Sequence, residues 1–167
     1  MQIRIQSTGA VMYEAEFRAY QQANGGPSWD TTTDEVLTAL GADVVLEGPQ
    51  ATGGTVYQYS QASGVVQIGD KWYTNHILGP VFTDTPATDL QPAKTAAENE
   101  AAYKAMKDAE QAASVRASRN QLLKDCDWTQ IADSTADKAA WATYRQALRD
   151  ITAQAGFPWT MTWPDAP

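Results

Sequence analysis

The sequence predicts an α+β protein: a small, mostly-β N-terminal module, then a long helix and a C-terminal helical hairpin with an aromatic tail. Three observations carry that expectation. Composition changes abruptly near residue 85, where Thr83 to Pro92 holds two prolines and no apolar period. Beyond it, residues 93–125 run for over thirty positions without Gly or Pro and are rich in Ala, Glu, Lys, Gln and Met. Further on, Trp141, Tyr144, Leu148 and Ile151 recur at the spacing of one helix face. The expected organisation is a module over residues 1–84, a Pro-containing linker or chain reversal over 85–92 and a helical domain over 93–167. A chain of 167 residues with 43% apolar and 19% charged side chains is long and apolar enough to bury such cores.

Met1, Ile3 and Ile5 alternate with polar residues, the pattern of a short half-buried strand. Met12 to Gln22 fits helix or strand, because Met12, Tyr13, Phe17 and Tyr20 suit either period. Asn24 to Ser28, with two glycines and a proline, breaks the chain. Thr33 is a cap for a short helix with Asp34 and Glu35 at its positive end and Gly41 closing it. Val44 to Leu46 is a buried strand and Pro49 to Gly54 a loop. Val56 to Tyr59 and Gly64 to Ile68 read as strands, and Gly69-Asp70 turns the chain into Lys71 to Leu78 as a hairpin.

The long helix spans about 45 to 50 Å at 1.5 Å per residue, more than a domain this small needs to bury one face. Its apolar stripe is expected along Ala102, Met106, Ala109, Ala113, Asn120 and Leu123. The alanine-rich half is left for another copy, so self-association through the 93–125 helix is expected. Asp133 to Asp137 supplies a break and caps, and the second helix runs to about Ala155, with Gly156 as a left-handed cap and Pro158 preventing continuation. The tail carries Phe157, Trp159 and Trp163 and must bury the two tryptophans against something.

Charge excludes one class of partner. The net charge of -8 is concentrated in residues 1–92, where ten Asp/Glu face three Lys/Arg. Such a surface repels phosphate backbones, so nucleic-acid binding is not expected. No window has the roughly 18 apolar residues of a membrane span, and the N-terminus lacks the pattern of a secretion signal. A single cysteine, Cys126, allows no internal disulfide and fits a reducing cytosol.

Nor does the sequence present a catalytic set. One His and one Cys, fifty residues apart, do not make a zinc site, and His76 lies in a hairpin strand beside Tyr73 and Ile77. Phosphate-binding glycine loops are missing, and Asp125 and Asp127 at a helix end read as solvated or capping groups. No enzyme activity, metal or cofactor is expected. What stands out is a concentration of Trp, Tyr and Arg. Leu122, Leu123, Trp128, Trp141, Tyr144, Leu148 and Ile151 are expected to form the core of the hairpin. Arg145, Arg149, Trp159 and Trp163 are candidates for partner contact, because these residue types dominate binding hot spots; for the two tail tryptophans, packing across subunits is the competing reading.

The ordered run Arg116-x-x-Arg119-Asn120-x-Leu122-Leu123-x-x-Cys126-Asp127-Trp128-Thr129-Gln130, then Trp141-x-x-Tyr144-Arg145-x-x-Leu148-Arg149-Asp150-Ile151, then Gly156-Phe157-Pro158 and Trp163-Pro164, resembles the C-terminal domain of phage tail assembly chaperones, also called tail fibre assembly proteins. The resemblance implies a non-enzymatic protein that binds a tail fibre or related tail component and assists its folding, trimerisation or attachment. It places the chain in the host bacterial cytoplasm during phage assembly, and adds Arg116, Arg119, Asn120 and Phe157 to the candidate partner-binding residues. The alternative is a structural subunit retained in the virion tail, docking a fibre or baseplate protein through the helical hairpin.

Overall fold

The computed structural model describes all residues, 1–167, and divides into two compact units, Met1–Val81 and Phe82–Pro167. The front unit is a five-stranded sheet with two helices. Its elements are β1 (Gln2–Ile5), β2 (Val11–Tyr13), α1 (Glu14–Ala23), α2 (Asp34–Ala39), β3 (Ala42–Leu46), β4 (Tyr59–Ile68) and β5 (Lys71–Gly79). The strand order is β2-β1-β3-β5-β4; β3 and β5 pair in parallel and the other neighbours are antiparallel.

Period-2 alternation puts Ile3 and Ile5 of β1 on one face, where Ile3 lies opposite Val44 and Ile5 opposite Ala42. Phe17 of α1 and Leu37 of α2 complete this core, with Met12, Trp29, Leu40 and Val44 against it. The ambiguous stretch after Met12 resolves into both options: three residues of strand, then helix. The joint is fixed by Glu16, whose carboxylate accepts the Tyr13 N–H at 2.8 Å.

The loop between the two helices is tied down by Arg18. Its guanidinium donates to Glu14 Oε1 at 3.1 Å, Trp29 O at 2.7 Å and Thr32 Oγ1 at 2.9 Å, and lies 4.6 Å from the centre of the Trp29 ring. Thr33 caps α2 as expected, accepting the Val36 N–H, and Gly41 takes the left-handed conformation just beyond its end, at φ 71°. The β4–β5 hairpin also forms as expected. Gly69 has φ 64° and Asp70 a negative φ, the signature of a type II′ turn, so glycine is needed at the first position. Val56 and Tyr57, read as strand, lie instead in a turn before β4, where Gln58 N–H bonds Thr55 O at 3.0 Å.

The helical unit consists of α3 (Ala96–Asp125), a 3-10 turn (Asp127–Gln130), α4 (Lys138–Asp150) and a second 3-10 turn (Ile151–Ala153). Segment 85–92 reverses the chain on itself. Thr85 exchanges two backbone hydrogen bonds with Lys94, Thr88 pairs with Gln91, and Asp84 accepts the Ala96 N–H at 2.7 Å. Asp84, just before the segment, and Thr95, just after it, thus satisfy free amides at the start of α3 instead of leaving them to water. Thr95 and Glu98 form a capping box there.

The long helix is thus present, but its buried face is not the expected one. Ala112 and Val115 are buried, with Tyr103, Leu122 and Leu123 half-buried, whereas Ala102, Met106, Ala109, Ala113 and Asn120 are exposed. Alanine gains little by burial, so the few large side chains decide which way the rod faces. No helix is long and apolar enough to cross a membrane.

Candidate functional site

Of the residues singled out in the sequence, Leu122, Leu123, Trp141, Tyr144, Leu148 and Trp163 meet at the joint between α3 and α4. The sequence Leu122-Leu123-x-x-Cys126 brings three apolar side chains to the end of α3. Asp137 accepts the Ala139 and Ala140 N–H groups at 3.0 and 3.1 Å, starting α4 so that Tyr144 and Leu148 face them. Leu148 and Ile151 are fully buried and Tyr144 nearly so. Trp141 stands edge-on to Tyr144, with ring centres 5.6 Å apart.

Arg145 occupies a place that its hot-spot chemistry did not suggest. Its Nη1 donates to Leu123 O at 2.7 Å and contacts Cys126 Sγ at 3.0 Å, while Nη2 donates to Asp127 Oδ1 at 2.8 Å. The guanidinium therefore closes the C-terminal end of α3, where carbonyls lack helical partners and the dipole favours a cation. Burial opposes its charge, but the bonds to Asp127 and Cys126 outweigh that and hold its pKa above the ordinary arginine value. Desolvation, reinforced by Cys126 and Asp125, likewise raises the Tyr144 pKa.

The aromatic tail folds back within this unit. Trp159 Nε1 donates to Asp108 Oδ1 at 2.6 Å, Trp163 packs on the core cluster, and the Phe157 ring lies 5.3 Å from the Arg116 guanidinium. Gly156 is not a left-handed cap. The chain turns so tightly that its carbonyl accepts from Trp159 and Thr160, and a Cβ at Gly156 would overlap the Thr160 carbonyl oxygen. Close backbone approach, not a positive φ, requires glycine here.

Of the other expected site residues, Arg119 is half-buried and donates to Asn120 Oδ1 at 3.1 Å, while Asn120, Arg116 and Arg149 are exposed. Trp128 departs from its expected place in the core. One edge meets Trp141, with ring centres 6.0 Å apart, but 54% of the residue is exposed. The 3-10 turn that carries it directs Thr129 inward instead, where its hydroxyl donates to Cys126 O at 2.7 Å. Ile131, which the sequence reading passed over, is equally exposed at 54%. Elsewhere in the same unit, Ala117, Ser118, Gln121, Leu122 and Trp163 line an open, largely apolar groove. Asp108 was also missed, since nothing in its sequence context marks it as an anchor for an indole fifty-one residues away.

This surface offers apolar area with scattered cations rather than reacting groups; no group of three or more His, Cys, Asp or Glu side chains is arranged to hold a metal ion. Residues 112–167 match the family model of phage tail assembly chaperone proteins, which bears out the resemblance read from the sequence and covers the end of α3, α4 and the tail. No curated protein and no solved structure matches the chain.

Proposed function

With residues 112–167 as a phage tail assembly chaperone domain, we propose that the chain is a non-enzymatic assembly factor. Its helical unit binds a tail fibre or related tail component and assists folding, trimerisation or attachment. The observation that carries this reading is the coincidence of the family match with a half-exposed Trp128, Ile131 and the open groove beside Trp163. A folding fibre subunit exposes apolar surface before its own partners arrive, and an aromatic surface of this kind can cover it. Asn120, Arg116 and Arg149 supply polar contacts at the rim. Arg145 is committed to the α3–α4 joint and acts through the geometry of that joint.

The test is affinity capture of the tagged full chain co-expressed with the tail fibre and baseplate proteins of the same phage. Recovery of a tail component is expected, and Trp128→Ala combined with Ile131→Ser should weaken it at least about tenfold while the circular dichroism is unchanged. Capture of no tail component, or full capture by that variant, would refute the reading. Mass spectrometry of purified particles then separates a transient role, with the chain missing from particles, from that of a subunit retained in the tail.

A further inference from the structure

The front unit ends in a strand whose outer edge has no neighbour. β4 is ten residues long and is the last strand on its side of the sheet. A register shift after Ala62, with Gly64 at φ 73°, divides it into two regular segments, Tyr59–Ala62 and Val65–Ile68, the second paired residue by residue to Thr74–Lys71. The two-residue turn makes Ile68–Lys71 a hydrogen-bonded pair, so Val66–Tyr73 is one as well. Val65 and Gln67 consequently turn their N–H and C=O groups away from β5.

Edge strands of monomers are commonly guarded by lysine, proline, a bulge or a covering loop, and the bulge of β4 lies before Val65, outside the segment Val65–Ile68. Tyr59–Ile68 contains no charged residue and no proline, and Val66 and Ile68 are 38% and 52% exposed on the same sheet face.

We propose that this edge pairs with itself: a second copy of the chain adds its own β4, antiparallel, about a two-fold axis at Val66. The outward groups at Val65 and Gln67 are equidistant from that axis, so Val65 of each copy meets Gln67 of the other and both exchange N–H···O bonds. Val66 meets Val66 in the close, non-hydrogen-bonded position, and Ile68 comes opposite Gly64, which has no side chain to obstruct it. No like charges meet in this register, because Asp70 and Lys71 of one copy come opposite Ala62 and Gln61 of the other. A foreign strand would satisfy the backbone equally, but this segment is complementary to itself in register, polarity and side-chain size. The contact is small, so the dimer is weak and depends on concentration.

Sedimentation equilibrium of the full chain tests it. The apparent mass should rise from the 18.1 kDa of one chain toward twice that value between about 5 and about 500 µM. Gln67→Pro removes an outward N–H without touching the β4–β5 ladder, and Val66→Lys sets two like charges against each other; each should raise the dissociation constant at least about tenfold. If Gln67→Pro disturbs the sheet, Val66→Lys decides alone. A mass that stays at one chain throughout overturns the proposal, as does a dimer that survives Val66→Lys. So does a dimer abolished by Met106→Lys on α3 but not by either strand variant.

Discussion

The two units hold themselves together by different means. In the front unit five side chains, Ile3, Ile5, Phe17, Leu37 and Ala42, are buried in one continuous cluster between a sheet and two helices. In the helical unit the largest side chains are only partly covered, and directed polar bonds make the joints: Arg145 to the end of α3, Trp159 to Asp108, and Gly156 O to the tail amides. A sheet supplies a broad face on which apolar residues can disappear, whereas two helices and a tail do not enclose enough volume to hide four tryptophans. The helical unit therefore keeps aromatic surface facing outward without losing its shape.

That contrast can be broken most directly in the cores. Phe17→Ala should cost the front unit about 3 to 5 kcal/mol, and Leu148→Ala should cost the helical unit about 2 to 5 kcal/mol. Calorimetry should show each substitution lowering the transition of its own unit. If both variants lower a single shared transition, the two units are one cooperative body and the contrast fails.

The next effects separate polar joints from apolar ones. Arg145→Met leaves the Leu123 carbonyl with only the weak thiol donor of Cys126 and takes the guanidinium from Asp127, and should cost about 1 to 3 kcal/mol in thermal or urea unfolding. Arg145→Lys should recover little, because one ammonium cannot reach the carbonyl and the carboxylate with the geometry of the planar fork. Gly156→Ala should cost about 1 to 3 kcal/mol through overlap with the Thr160 carbonyl and should expose Trp159 to a fluorescence quencher. By contrast Trp128→Ala, at a side chain already half in water, should change stability by less than about 1 kcal/mol; a larger loss would make Trp128 a core residue after all.

Much of the fold was legible in residues whose physics is local. Thr33, Gly41 and the Gly69-Asp70 turn each determine their own backbone, and the α4 face of Tyr144, Leu148 and Ile151 is strongly periodic. β2 escaped because three residues cannot display a period. The facing of α3 escaped because a run of alanines gives little preference between one side and another, so Val115 and Leu122 prevailed over the Ala102–Ala113 stripe. Of the candidate site, the composition was readable but the wiring was not. Trp159 finds Asp108 across fifty-one residues, and Arg145 turns inward to the Leu123 carbonyl, which lacks a helical partner only because α3 ends there.

The finest distinction between the units lies in their titration. Hydrogen bonds from Thr32 and Arg18 lower the Glu14 pKa in the front unit, and the backbone and side chain of Thr95 lower that of Glu98 in the helical unit. A depressed carboxylate stabilises the fold above its unfolded pKa, and the contribution is lost as pH falls through the folded value, so both units weaken in acid. In alkali the group that matters is Tyr144, raised by burial first and by Cys126 and Asp125 after it; Arg145, also raised, keeps its charge throughout. Its contribution is complete below the unfolded value and is lost as pH rises through the folded one. The helical transition should therefore fall on going from about pH 9 to about pH 11, and Tyr144→Phe, which keeps the ring against Trp141, should flatten that fall. If the variant is as alkali-sensitive as the wild type, the buried phenol is not what distinguishes the two units at high pH.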